Sequence, residues 1–266
     1  MPADSAARPI APERLLYGTA TVVFFACGVL TLYFVRTMGG GMSMPGGWTM
    51  SMMWMRMPGQ TWAAASTMFV AMWVAMMIAM MLPSALPMLL LYRRVIRFRG
   101  EARVALATWS VGAGYFAIWM GFGLAAYAIG VALTQAAMRS ATFSRAMPIV
   151  SAAALITAGV YQLTSWKTAC LEHCRDPFHL MARHLGRPGW RGALGLGLHH
   201  GAFCAACCWG LMVVQLVLGV MNLGAMVLVA AVIAAEKLLD SGVLIARATG
   251  VIAIVAGASM ALRALL

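Results

Sequence analysis

Long runs of apolar residues, separated by short polar and basic segments, form the main pattern of the chain. Most of these runs reach the roughly 20 residues that a helix needs to cross a hydrocarbon core. The stretch 192–235 is divided near residues 219–222, because one helix of that length would extend about 66 Å, twice the hydrocarbon thickness. Seven candidate spans result, at about 15–35, 62–92, 104–136, 148–166, 192–219, 222–235 and 242–265. The pattern therefore predicts an all-α fold, a polytopic transmembrane helix bundle.

Composition supports this interpretation and excludes an ordinary soluble domain. Of the 266 residues, 63% are hydrophobic and only 10% are charged, and the mean hydropathy is +0.87. The net charge of +12 does not indicate nucleic acid, because the basic residues lie at the ends of apolar runs and not on one face. Residues 1–14 lack the pattern of a cleaved signal peptide and are expected to form a cytoplasmic tail.

The distribution of basic residues predicts the orientation. With the N-terminus in the cytoplasm, fourteen of the nineteen Lys and Arg residues lie inside and five outside, as the positive-inside rule requires. We therefore expect one transmembrane domain, 15–266, in a bacterial inner membrane. Its methionine-rich loop, 38–61, would face outward, and its Cys/His/Arg-rich loop, 167–192, would face the cytoplasm.

Methionine is concentrated in the outward loop and in the span that follows it. Eight of the twenty residues from Met38 to Met57 are methionine, and glycines between them let the backbone bend. Thioether sulfur is a soft ligand that selects Cu(I) over hard divalent ions. The loop is therefore a candidate site for capturing Cu(I) or Ag(I). The alternative is a loop that lies along the membrane surface, anchored by Trp48 and Trp54.

In the second span, methionine recurs every four residues, which places the side chains in one stripe along a helix. Such a stripe serves packing as readily as metal binding, since methionine fills irregular gaps. The M-x-x-x-M spacing resembles the transmembrane methionine motif of eukaryotic high-affinity copper importers. The candidate ligands in this stripe are Met72, Met76 and Met80.

Cysteine and histidine form two further groups. The first is Cys170, His173 and Cys174, which would share one helical face. The second is His199, His200, Cys204, Cys207 and Cys208, within a small-residue segment. Thiolate and imidazole suit Cu(I) and also Zn(II), so zinc remains a possible ion. The alternatives are inert thiols in the first group and a closely packed helix face in the second.

Several short motifs, spread from Met68 to Lys237, resemble a bacterial family described as predicted metal-binding integral membrane proteins, a domain of unknown function. The matching segments are Ala71-Met72-Trp73, Ala75-Met76-Met77, Met80-Met81-Leu82-Pro83, Gly159-Val160-Tyr161-Gln162-Leu163-Thr164 with Lys167, Cys170 with His173-Cys174-Arg175 and Pro177, Gly201 with Cys204-Ala205-Ala206-Cys207-Cys208-Trp209 and Met212, Gly219-Val220-Met221-Asn222, and Glu236-Lys237. The resemblance implies a membrane location and metal binding, without a substrate.

These observations lead to three functional hypotheses. The first is a membrane protein that binds Cu(I) and relays it across or within the inner membrane. The second is a copper-containing membrane oxidoreductase subunit or a metal-loading assembly factor, so enzymatic activity is left undecided. The third is a methionine-rich scaffold that binds no metal. Expected partners are the lipid bilayer, the metal ion and a metallochaperone or membrane protein, and not nucleic acid.

Overall fold

The computed structural model describes residues 10–186 and 189–266. Nine α-helices form in these two ranges, together with a two-stranded hairpin and one 3-10 helix, Met52–Trp54. The helices are α1 Ile10–Met38, α2 Trp62–Phe98, α3 Val104–Arg139, α4 Ala141–Gln162, α5 Ser165–Arg175, α6 Pro177–His184, α7 Trp190–Leu218, α8 Leu223–Leu238 and α9 Gly242–Leu265. The all-α prediction is confirmed. Most of the predicted tail, 1–9, lies outside the described residues, and the helix begins at Ile10.

Six of these helices are long and apolar enough to cross a membrane, namely α1, α2, α3, α4, α7 and α9, in the part of the chain that the structure describes. The sequence predicts seven spans. The difference is α8, whose 16 residues extend only about 24 Å, less than the roughly 30 Å of a hydrocarbon core. The predicted break before α8 is confirmed: Gly219 has a positive φ of 107°, and the Asn222 side chain accepts a hydrogen bond from the Ala225 amide.

The methionine-rich loop, 38–61, contains a β-hairpin that the apolar pattern does not predict. Strands β1, Gly41–Met44, and β2, Trp48–Ser51, pair antiparallel across a turn in which Gly46 and Gly47 have positive φ. The hairpin is attached to the start of α4, because the Trp48 indole donates to the Ser144 carbonyl at 2.9 Å. The Ser144 hydroxyl donates in return to the Pro45 carbonyl at 2.8 Å. These bonds fix the methionine-rich loop against the bundle.

The predicted fourth span, 148–166, differs from the observed helix at both ends. Helix α4 begins at Ala141, where the Ser140 side chain accepts from the Phe143 amide, and ends at Gln162. Thr164 then caps α5 by accepting from the Lys167 amide, so the chain turns before the Cys170–Cys174 segment. Much of the predicted loop 167–192 is instead helical, because α5 continues to Arg175 and α6 follows at Pro177–His184.

Helices α3 and α7 pack closely because glycines meet across their interface. A Cβ atom at Gly197 would collide with the Val111 carbonyl, and one at Gly114 would lie within 2.8 Å of the Leu198 amide nitrogen. Small residues allow such close backbone approach between apolar helices. The interface brings Tyr115 of α3 against the middle of α7, where the second group of cysteines lies.

Candidate metal centre

A cavity of about 350 Å³ lies between α1, the methionine-rich loop and the start of α2. Seven methionines line this methionine pocket: Met38, Met52, Met53, Met55, Met57, Met68 and Met72. The other lining residues are apolar or uncharged, including Tyr33 and Gln60. The cavity therefore offers many soft, neutral donors, the type that suits Cu(I).

The predicted methionine stripe continues inward from this pocket. Met72 lines the pocket, and Met76 and Met80 follow it on α2; we call these three residues the methionine ladder. All three are buried, with exposed fractions of 1%, 0% and 6%. They belong to the same hydrophobic core as Cys204 and Cys207. The stripe is thus a packed core element that joins two groups of sulfur donors.

Four cysteines come together where α5 crosses α7. Cys204, Cys207 and Cys208 of α7 are fully buried, and Cys174 of α5 is partly exposed. The Sγ atom of Cys207 lies 3.3 Å from that of Cys208 and 3.7 Å from that of Cys174. We refer to these four residues as the cysteine cluster. It unites members of two groups that the sequence presents separately.

Two polar side chains converge on Cys204. The Tyr115 hydroxyl lies 2.9 Å from its Sγ atom, and the Lys237 ammonium donates to the same Sγ at 2.8 Å. A cation in contact with sulfur offsets the negative charge that a thiolate, or a copper–thiolate complex, would bring into this apolar core. Tyr115 is a candidate functional residue that the sequence pattern does not reveal.

A buried ion pair supports the other side of the cluster. The Lys167 Nζ atom lies 2.6 Å from Glu236 Oε2, and it also donates to the Cys207 carbonyl at 2.6 Å. The Gln162 amide donates to the second Glu236 oxygen at 2.9 Å. Burial lowers the pKa of Lys167, but the neighbouring Cys208 thiol and the Glu236 carboxylate raise it, and its pKa lies above the ordinary value.

Glu236 and Lys237 adjoin in sequence, which suggests a plain structural pair at a helix end. In the structure each side chain has a different partner, because adjacent helical residues point in different directions. Glu236 turns to Lys167 and Lys237 turns to Cys204. Charged residues inside an apolar segment are rare and often functional, and this signal could have identified both residues.

The histidines occupy two places. His173 and His199 both pack against Phe203, and His184 lies beside His199, with 5.3 Å between the His184 and His199 ring centroids and 6.1 Å between those of His173 and His199. His200 is buried elsewhere on α7, stacked on Tyr115, with its Nδ1 atom lacking a hydrogen-bond partner. The predicted set His199 and His200 is therefore divided between two faces of α7.

The predicted methionine and cysteine ligands thus fall into two regions of one core. Met72, Met76 and Met80 form the ladder, and Cys174 joins Cys204, Cys207 and Cys208, while Cys170 packs against the edge of the same core. Within 10–186 and 189–266, no group of three or more His, Cys, Asp or Glu side chains is arranged to hold a metal ion. The donors are adjacent pairs of sulfurs and neutral thioethers.

Six helices in the described ranges 10–186 and 189–266 are apolar enough to cross a membrane, and sulfur side chains gather in the core between the helices. Sulfur donors are the type that suits soft metal ions. A model of the PpoB2 family, described as copper chaperone, matches residues 70–260. The match covers more than two thirds of the chain, and the chain belongs to this family. It supports a copper-related role and agrees with the metal-related character that the sequence resemblance implies. No curated protein and no solved structure matches the chain.

Proposed function

We propose that this protein is a copper chaperone of the bacterial inner membrane that takes up Cu(I) at the methionine pocket. The ion passes along the methionine ladder to the cysteine cluster. The observation that carries the proposal is the double position of Met72, which lines the pocket and begins a buried ladder that shares one core with the cysteines.

The chemistry of the donors gives the transfer a direction. Thioethers are neutral, so they bind Cu(I) without losing a proton, and several weak sites in series let an ion leave as readily as it arrives. Thiols bind as thiolates and release protons when metal binds. The cysteine cluster is therefore the stronger site, and Lys237 beside Cys204 offsets the charge of the thiolate complex.

The surroundings of the ladder favour Cu(I) over zinc. Zinc sites use thiolate, imidazole and carboxylate ligands, whereas the pocket lining contains thioethers and no Cys, His, Asp or Glu. The bias of basic residues supports an outward pocket and an inward Cys170–Cys174 segment. We expect the recipient of the ion to be a metallochaperone or another membrane protein.

The test is Cu(I) uptake by proteoliposomes that contain the full chain. The double variant Met72→Leu/Met76→Leu removes two thioethers from the ladder at nearly constant volume, for which a cost below about 1.5 kcal/mol per site is expected. Uptake should fall severalfold. The matched control is Met88→Leu, since Met88 is a buried methionine of the same helix in a different hydrophobic core.

The control variant should take up Cu(I) at the wild-type rate, and all three proteins should elute as single species from a sizing column. Equal uptake by the double variant and the wild type would remove the ladder from the proposal. Equal losses in the double variant and the control would assign the effect to packing of α2.

A further inference from the structure

We infer that Cys174 and Cys207 form a thiol-redox site, in which a disulfide between α5 and α7 closes the cysteine cluster to copper. The claim that the disulfide closes the cluster to copper rests on the proposed function, whereas formation of the disulfide does not. The observation that carries it is the placement of one partly exposed thiol beside one buried thiol, on two different helices.

The distance between the sulfurs favours this pair. The two Sγ atoms are 3.7 Å apart, so a side-chain rotation that shortens the gap by less than about 2 Å brings them to the bond length of a disulfide. Cys207 is 3.3 Å from Cys208, but these residues are adjacent in one helix. A disulfide there would close a small strained ring and distort α7, because disulfide geometry is specific.

Cys174 and Cys207 differ in solvent exposure, and this difference determines which thiol reacts first. Cys174 lies on α5 and is partly exposed, so its thiolate can attack an external low-molecular-weight disulfide such as glutathione disulfide. This step joins Cys174 to one glutathione and releases the other as a thiol. Cys207 is fully buried and then attacks the Cys174 sulfur, which releases the second glutathione. The two cysteine thiols are oxidised, and one glutathione disulfide is reduced to two glutathiones.

Closure of this bond would remove two of the four sulfur donors in the cluster. Cys204 would keep its contacts to Tyr115 and Lys237, but the Cys207–Cys208 and Cys174–Cys207 pairs would no longer be available for Cu(I). The bond would also tie α5 to α7 at the side of the cluster that is partly exposed. Retention of copper would then depend on the thiol redox state around the protein.

The detergent-purified full chain, free of metal, is treated with glutathione disulfide. The remaining thiols are then blocked by alkylation, and the protein is digested without reductant. Mass spectrometry should find one cross-linked peptide pair that contains Cys174 and Cys207, and it should disappear after dithiothreitol. The Cys174→Ser variant should give no cross-link. The control Cys170→Ser, at a partly exposed cysteine one turn earlier on α5, should give the same cross-link as the wild type.

Retention of Cu(I) on a desalting column is measured on the same samples. Oxidised wild type should retain less Cu(I) than the reduced protein, because the share bound at the cysteine cluster is lost, and dithiothreitol should restore it. The inference would be overturned if no cross-link formed or if a Cys207–Cys208 bond formed in its place. It would also be overturned if Cu(I) retention were unchanged after cross-linking. If reduced wild type retains no Cu(I), the proposed function fails, while the cross-link still decides whether the redox site exists.

Discussion

The methionine pocket and the cysteine cluster are two sulfur-rich regions of one molecule, and their surroundings differ in charge. The pocket is a cavity of about 350 Å³ lined by uncharged residues between a hairpin and two helices. The cluster lies in the helix core, with Lys237 in contact with one sulfur and Lys167 in contact with a carbonyl beside another. Both offer soft donors, but no charged side chain is among the residues that line the pocket.

This difference follows from the ligand chemistry. A thioether stays neutral when it binds Cu(I), so a methionine site carries only the positive charge of the ion and gains nothing from a neighbouring cation. A thiol that binds metal loses its proton and becomes anionic, and an uncompensated anion in an apolar core is costly. We therefore expect the two lysines beside the cluster to distinguish a site for thiolates from a site for thioethers in this bundle.

The largest effect is expected from breaking the buried ion pair beside the cluster. Glu236→Gln leaves Lys167, which is fully buried, without its carboxylate partner, and such a loss costs about 3–5 kcal/mol of unfolding free energy. Thermal unfolding in detergent should show a clear drop in midpoint. The matched control is Glu13→Gln, which breaks the exposed pair with Arg94 and should leave the midpoint unchanged.

A smaller loss of stability is expected at the α3–α7 interface. Gly197→Ala places a methyl group against the Val111 carbonyl, and overpacking of this kind costs about 1–3 kcal/mol. Since this interface holds Tyr115 against Cys204, Cu(I) retention by the cluster should weaken with it. Gly112→Ala is the control on α3, because a Cβ there meets nothing within 4 Å. A wild-type midpoint for Gly197→Ala would show that the helices can separate without cost.

The pH dependence of Cu(I) affinity should differ between the cysteine cluster and the methionine pocket. Acid protonates thiolates, so Cu(I) affinity of the cysteine cluster should fall as pH falls, by up to about tenfold per pH unit for each proton that copper displaces. A Cys174→Ser/Cys204→Ser/Cys207→Ser/Cys208→Ser variant retains the methionine pocket, and its affinity should be nearly independent of pH. Competition with a Cu(I) chelator at several pH values measures the affinity of the wild type and of the variant. If the two affinities changed with pH in parallel, the proposed difference between thiolate and thioether sites would be wrong.

The sequence predicts the helical bundle well because apolar runs and their length carry that information directly. It also places the break at Gly219 and the face shared by Cys204 and Cys207. It does not predict that Cys174 meets Cys207, because the turn at Leu163 and Thr164 redirects α5 across α7. Contacts between distant segments depend on packing of glycines such as Gly197, which periodicity along one helix does not reveal.

The hairpin and the polar partners are missed for related reasons. Strands β1 and β2 are four residues each and alternate too briefly to be distinguished from a loop, and their position depends on the long-range bond from Trp48 to Ser144. Tyr115 has no distinctive sequence neighbourhood. Glu236 and Lys237 stand out as charges in an apolar segment, but their adjacency in sequence suggests that they pair with each other, whereas each contacts a different residue.

The most direct test of the relay is X-ray absorption of copper bound to selenomethionine-labelled protein, since selenium scattering separates methionine ligands from cysteine ligands. With one equivalent of Cu(I), the wild type should show copper–sulfur scattering from the cysteine cluster. The variant with all four cluster cysteines replaced by serine should show copper–selenium scattering from the pocket and ladder. Absence of copper–selenium scattering in that variant at any loading would contradict the account.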